Sequence, residues 1–238
     1  MIKEAIILAG GMGTRLRPVV SDVPKCMAAV GDKPFIHYLI EFLKKKGIEH
    51  FIFSVGYLHE AIEEYLSSNH KKLHYSISLE TAPLGTGGAI RLATTKTSDR
   101  NILVCNGDTF YNVDINGLSE FHFQKKAACT LSLKRMENFD RYGVVELNDD
   151  STIKTFKEKQ FYKQGLINGG VYALNTHEFL KHLLPEKFSF EKDYLEKKVY
   201  ASNHHIFGIE QDGYFIDIGI PEDYERAQKE LPAVQNNF

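Results

Sequence analysis

Leu8-Ala9-Gly10-Gly11-Met12-Gly13-Thr14-Arg15-Leu16-Arg17-Pro18 follows directly on the apolar run Ala5 to Leu8, and this junction decides how the chain is read. A short apolar run that ends in glycine reads as a buried strand closing in a turn. The three glycines between positions 10 and 13 remove side-chain bulk and let backbone N–H groups approach a polyphosphate closely. Arg15 and Arg17 then add forked, permanently charged donors beside those amides. A strand, a bare loop and a cationic exit together suit a nucleoside triphosphate.

Two commoner loops match less well. No Gly-Lys-Ser/Thr follows at the offset of a Walker-type phosphate loop. Gly11-Met12-Gly13 half-matches the dinucleotide fingerprint, but Arg15 and Leu16 stand where the third glycine and its approach belong. That fingerprint also wants an acidic residue about twenty positions on, after a second strand. Asp32 has roughly that spacing, yet Val30-Gly31-Asp32-Lys33-Pro34 reads as a turn entering a helix.

The 238 residues suffice for one large α/β domain, or a domain with a modest appendage. With 29 basic and 31 acidic residues the formal charge is −2, so no global cationic field points to nucleic acid or to a membrane surface. Phosphate-binding charge must therefore be local, as in Arg15, Arg17 and Lys25. Cys26, Cys105 and Cys129 are scattered and odd in number, the usage of reduced thiols in a cytosolic enzyme. The apolar run Ala5 to Ala9 is too short for a signal peptide, and no segment approaches the length of a membrane helix. A cytoplasmic location is expected.

Strand-like and helix-like segments alternate through the first half. Phe35, Ile36, Leu39, Ile40 and Leu43 recur at helical spacing, and Lys44-Lys45-Lys46-Gly47 closes that helix with cations and a terminator. His50 to Val55, Leu73 to Leu79 and Asn101 to Cys105 read as strands, separated by helices over Leu58 to Leu66 and Gly85 to Leu92. Repeated units of this length predict a mostly parallel, doubly wound sheet with ligands beyond the carboxyl ends of its strands. The second half is richer in strands, expected over 128–133, 143–147, 153–156, 167–174, 204–209 and 214–218. Helices are expected over 178–183, 190–198 and 221–230, the middle one packing either internally or against a second subunit in a homodimer.

Several residues offer chemistry. Lys25, after Pro24, can place a compact charge on a phosphate, although such a pair alone is usually a surface turn. Asp108 ends the strand Leu103-Val104-Cys105-Asn106-Gly107-Asp108 at the ligand edge, where an aspartate can also be a plain turn former. Asp217 interrupts the apolar Tyr214-Phe215-Ile216-Asp217-Ile218-Gly219, and a buried lone carboxylate requires a cation or several donors. Two aspartates from distant strands could share one hydrated magnesium ion bridging substrate phosphates. The alternative for Asp217 is a polar contact toward the helix at Pro221. The glycine-rich corner Glu80-Thr81-Ala82-Pro83-Leu84-Gly85-Thr86-Gly87-Gly88 could admit a base, or could serve close helix–sheet packing.

The order GGxGTRLRP, PK, a KP helix start, ExxPLGTGGA, NGD, an EK pair, NGGVY and a late DIG resembles the sugar-1-phosphate nucleotidyltransferases along essentially the whole chain. The resemblance implies a Rossmann-like, mostly parallel mixed sheet flanked by helices, the nucleotide-diphospho-sugar transferase fold. It implies a single domain over 1–238, with a nucleotide-binding half to about residue 125 and a sugar-phosphate-binding half from about 126. The implied chemistry joins a nucleoside triphosphate to a sugar 1-phosphate with release of pyrophosphate, using Mg2+. The stretches 25–30, 54–57 and 83–89 look most like members that carry guanylyl from GTP to a heptose 1-phosphate for capsule, S-layer or lipopolysaccharide synthesis.

Carried over by position, Leu8, Gly10, Gly11, Gly13 and Thr14 would hold the nucleotide, with Arg15 and Lys25 as catalytic cations at its phosphates. Glu80 and Gly85 would contact the base, and Asp108 and Asp217 the metal. Gly143, Glu158, Lys159 and Asn168 would contact the sugar phosphate. The proline often found after the EK pair is Gln160 here. Many thymidylyl and uridylyl relatives carry glutamine where this chain has Glu80. A carboxylate only accepts hydrogen bonds, and guanine offers two adjacent donors, so Glu80 favours guanine. Mannose 1-phosphate with GTP, or another sugar with UTP or dTTP, keeps the same chemistry. A silent nucleotide-sugar-binding regulatory subunit is the reading from another class, and retention of Arg15, Lys25, Asp108 and Asp217 speaks against it.

Overall fold

The first half runs through β1 (Glu4–Leu8), β2 (Ala29–Val30), β3 (Lys33–Pro34), α1 (Phe35–Lys45), β4 (His50–Val55), α2 (His59–Asn69), β5 (Tyr75–Leu79), α3 (Gly85–Ala93), β6 (Asn101–Asn106), β7 (Thr109–Tyr111) and α4 (Ile115–Gln124). The second half continues with β8 (Cys129–Phe139), β9 (Val145–Leu147), β10 (Ile153–Phe156), β11 (Tyr162–Asn175) and α5 (Thr176–Leu180). A wide helical segment, Phe190–Glu196, then runs into α6 (Lys197–Tyr200), followed by β12 (Ile206–Gln211), β13 (Phe215–Asp217) and α7 (Pro221–Val234). These elements come from a computed structural model, which describes residues 1–11, 16, 22–201 and 205–234.

Seven strands form the main sheet in the order β12-β8-β11-β6-β1-β4-β5. Strands β6, β1, β4 and β5 are mutually parallel, β11 is antiparallel to both β6 and β8, and β12 is parallel to β8. The expected mixed, mostly parallel sheet is therefore found, and it continues without a break from the first half into the second.

Strands buried on both faces read as continuous apolar runs, and all of β4 is buried. Because successive side chains alternate between faces, Ile7 joins one core with Phe35, Leu39, Phe42 and Phe53, whereas Ile6 joins the other with Ile52, Ile90, Phe190 and Tyr194. Helix α1 ends as its sequence dictates, with Gly47 at φ +89° and its amide bonded to the Lys44 carbonyl at 3.0 Å. Asp32 sits in a two-stranded hairpin, β2–β3, with Gly31 at φ +60°, immediately before α1.

The structure departs from expectation at α4, at β7 and at the ends of β8 and β11. Helix α4 was not anticipated. Strands β8 and β11 run well past the expected ends, because their outer residues pair with each other as far as Tyr162 and Phe139. Of the two packings open to the segment Phe190–Glu196, the internal one is found for Phe190, Tyr194 and Leu195, which are buried.

Candidate active site

The four parallel strands deliver their carboxyl ends to one edge, where a cavity of about 640 Å3 opens between the turns after β1, β4, β5 and β6. Leu8, Gly10, Gly11, Glu80, Gly85 and Asp108 all line it, as do Ser54, Tyr57, Thr86 and Asn106. Hydrogen bonds beyond the strand ends hold the turns together: the Ala9 amide donates to Ser54 O at 2.8 Å, Glu80 to Val55 O at 2.8 Å and Gly107 to Leu8 O at 2.9 Å. A Cβ on Gly107 would lie 2.6 Å from Leu8 O, so the turn bearing Asp108 can close against β1 only as glycine.

Asp108 and Asp217 are brought together by a small second ladder. β13 pairs antiparallel with β7, setting Asp217 opposite Thr109, and the Ile218 amide donates to Asp108 O at 3.1 Å. Lys25, at the 3-10 turn Lys25–Met27, reaches both: its Nζ donates to Asp108 Oδ2 at 2.6 Å and lies 3.6 Å from Asp217 Oδ1. The buried Asp217 Oδ1 accepts no hydrogen bond among the described residues. Burial, and then the neighbouring Asp108 charge, push the Asp217 carboxyl above its ordinary range, with Lys25 and Arg141 opposing. Two carboxylates converging on one cation, one of them with a buried unused oxygen, form an all-oxygen donor set that fits a hard divalent ion.

Arg141 and Tyr142 complete this cluster and were not singled out from sequence. The Tyr142 hydroxyl donates to Asp217 Oδ2 at 3.3 Å, and Arg141 lies 3.8 Å from the same oxygen while donating to Asp223. The only signal was a cation–aromatic pair before Gly143. Neither residue type nor spacing there specifies a partner on β13.

Glu80 stands at the opposite side of the cavity. Its Oε2 accepts from the Leu84 amide at 3.0 Å, and its Oε1 is so close to Gly10 that a Cβ there would come within 2.7 Å. Burial raises the Glu80 carboxyl above its ordinary value, and the Leu84 hydrogen bond offsets part of this. Gly85 has φ +70°, and its Cβ would meet Phe188 O at 2.6 Å. The Phe188 amide donates to Leu84 O at 2.9 Å, and the Phe190 amide to Thr86 Oγ1 at 2.9 Å. The glycines of this corner thus admit the 186–190 segment, and the cavity wall is packed from behind.

The remaining sequence-selected residues are spread along the β-rich half. Gly143 abuts the loop after β10, where a Cβ would lie 2.3 Å from Lys157 O. Glu158 and Lys159 are exposed on that loop. Asn168, on β11, donates to Tyr172 and to Glu191, each at 2.8 Å, and accepts from the Gly170 amide at 3.1 Å. None of these four makes a hydrogen bond or ion pair to Asp108 or Asp217 among the described residues. Gly13, Thr14 and Arg15 lie outside the described residues.

Comparison with known proteins agrees with this geometry. Residues 4–233 match the family described as Nucleotidyl transferase. The chain is 50% identical over 228 residues to the D-glycero-alpha-D-manno-heptose 1-phosphate guanylyltransferase of Aneurinibacillus thermoaerophilus, covering 96% of this chain and 98% of that one. It is 46% identical to the enzyme of the same name from Campylobacter jejuni, over 93% of this chain and 96% of that one. The solved structure of HddC from Yersinia pseudotuberculosis complexed with GMP-PN superposes with a TM-score of 0.86 at 32% identity, over 96% of this chain and 99% of that one. The chain is a member of the nucleotidyl transferase family.

Proposed function

We propose that this protein transfers GMP from GTP to D-glycero-α-D-manno-heptose 1-phosphate, giving GDP-heptose and pyrophosphate. The observation that carries the reading is the convergence of Asp108, Asp217 and Lys25 at one edge of a cavity whose other side presents Glu80. The relatives named above support the choice of base and sugar.

In this reading a sugar-phosphate oxygen attacks the α-phosphorus of GTP, the α–β phosphoanhydride bond breaks, and pyrophosphate departs in line. The attacking phosphate is already ionised at neutral pH, so no protein nucleophile is needed, and catalysis is positioning with charge neutralisation. A Mg2+ ion held by Asp108 and Asp217 would offset charge between the two substrates. Lys25 supplies positive charge at the same edge, and Arg15 is assigned with it to the departing pyrophosphate. Glu80 accepts the ring N–H and exocyclic amine of guanine through oxygens that retain free lone pairs beside the Leu84 contact. Gly143, Glu158, Lys159 and Asn168 are assigned to the heptose phosphate.

Three buried free thiols among the described residues agree with a reducing, cytoplasmic setting. No helix among those residues is long and apolar enough to cross a membrane. The nucleotide-activated heptose would then serve surface polysaccharide assembly. Pyrophosphate release measured for GTP, ATP, UTP and dTTP against heptose, mannose and glucose 1-phosphates tests the reading. GTP with the heptose substrate is expected to be fastest by a wide margin, and a preference for a pyrimidine nucleotide would reject it.

A further inference from the structure

Arg100, Lys126 and Lys198 line a second cavity of about 510 Å3 at the other end of the main sheet. Register places it there. Asn101, which opens β6, pairs with Asn175 at the end of β11, and Cys129, which opens β8, pairs with Ile206, which opens β12. The nucleotide-facing turns instead leave Leu8 and Asn106, the opposite ends of β1 and β6.

Lys198 is 7% exposed, lines this cavity, and makes no hydrogen bond or ion pair among the described residues. Its Nζ lies over an aromatic face, 5.2 Å from the Tyr194 ring centroid. Lysine is almost never buried so deeply without a charged partner, because the ammonium loses its hydration. Burial accordingly lowers its pKa. The lining carboxylate, Glu178, is engaged elsewhere: it accepts from Lys181 at 2.8 Å and lies 3.8 Å from Arg100. His122 is held by Thr130 and Asn101 at 3.0 and 3.2 Å, and burial brings its pKa down to about 4, so it is neutral. Three basic side chains therefore line the cavity beside one carboxylate that is already paired.

We infer that this cavity is an anion site for a small molecule bearing a dianionic phosphate group, with Lys198 as its buried contact and Arg100 and Lys126 at its mouth. The local excess of positive charge suits one such group. Lysine and arginine supply donors and no acceptors, which suits phosphate oxygens. The site does not depend on the proposed activity.

Inorganic phosphate, titrated in chloride buffer and followed by backbone amide NMR, tests the inference. Saturable shifts are expected at Ala127, Ala128 and Asn175, both in the unaltered protein and in Lys25→Ala, a substitution expected to weaken phosphate binding at the active site instead. Lys198→Met should weaken this response at least about tenfold, as loss of a charged hydrogen bond does. Should Lys198→Met not fold, the exposed pair Arg100→Gln with Lys126→Ala carries the same expectation. Absence of saturable shifts at those three amides, or shifts undiminished by these substitutions, would overturn the inference.

Discussion

Asp217 lies opposite Thr109 in the short antiparallel ladder between β13 and β7, and this register is what delivers its carboxylate to Asp108. Residues more than one hundred positions apart in the chain thus share the Lys25 ammonium. The pair is electrostatically costly without a bound cation, which is the signature of a site built for a ligand rather than for stability.

Asp217→Asn should separate those two roles. Turnover is expected to fall at least ~100-fold, the scale of losing a central electrostatic contact. The ligand-free protein should nevertheless melt about 2 °C higher at pH 8, for a gain of about 1 kcal/mol. The sign follows from the raised pKa: ionised Asp217 is penalised in the folded state above its folded pKa, and the penalty declines as pH falls through that pKa and is gone only below the ordinary carboxyl value. The melting difference should therefore shrink toward acid pH in calorimetry; a variant less stable at pH 8 would contradict the assignment.

Lys25→Ala should lower kcat by ~100- to 1000-fold while the circular dichroism spectrum is retained. Near-normal turnover would remove Lys25 from the chemistry.

Glu80→Gln should lower kcat/KM for GTP by ~100-fold or more, because an amide presents a donor to one guanine donor. The unaltered enzyme should also lose GTP affinity on acidification earlier than an ordinary glutamate would allow, since burial raises this carboxyl. KM for GTP measured against pH checks this: the Glu80→Gln variant should show a flat profile over the same interval.

Gly85→Ala should destabilise the fold by about 2–3 kcal/mol in urea titrations, through both its left-handed backbone and the clash with Phe188 O. A change under about 0.5 kcal/mol would mean that the 186–190 segment yields easily.

Glu4→Gln tests a feature remote from the site. Burial alone would raise the Glu4 carboxyl, but His50, Ser98 and Asp99 donate to it and bring it below its ordinary value. The ionised form therefore stabilises the fold at neutral pH, by about 1.5–3 kcal/mol, the scale of hydrogen bonds to a charged group. That advantage should fade as pH falls through the folded pKa, below 4.5. Equal urea midpoints for the two proteins at pH 7 would refute this.

The parallel half of the fold was legible because its signals are local. His50–Val55 centres on the apolar run Phe51 to Phe53, and α1 carries both its stripe and its lysine–glycine stop. Helix α4 escaped detection although Ile115, Leu118, Ser119 and His122 form a helical face capped by Asp114. Asn116 and Gly117 are poor helix formers, and Phe121 and Phe123 blur the apolar stripe.

The site was legible in part for the same reason. Turns at strand ends announced Gly10, Glu80 and Asp108, and all three line one cavity. Arg141 and Tyr142 reach Asp217 only through the long-range pairing of β13, which no local pattern encodes. The packing role of Gly85, Gly87 and Gly88 also depends on a segment about one hundred residues away.

Divalent-ion binding counted directly tests the central claim that Asp108 and Asp217 hold one ion at the nucleotide. Mn2+ titrated by electron paramagnetic resonance, in the presence of a non-hydrolysable GTP analogue, should report one tight ion. That ion should bind at least about tenfold more weakly in Asp108→Asn and in Asp217→Asn alike. Unchanged Mn2+ affinity in either variant would contradict the account.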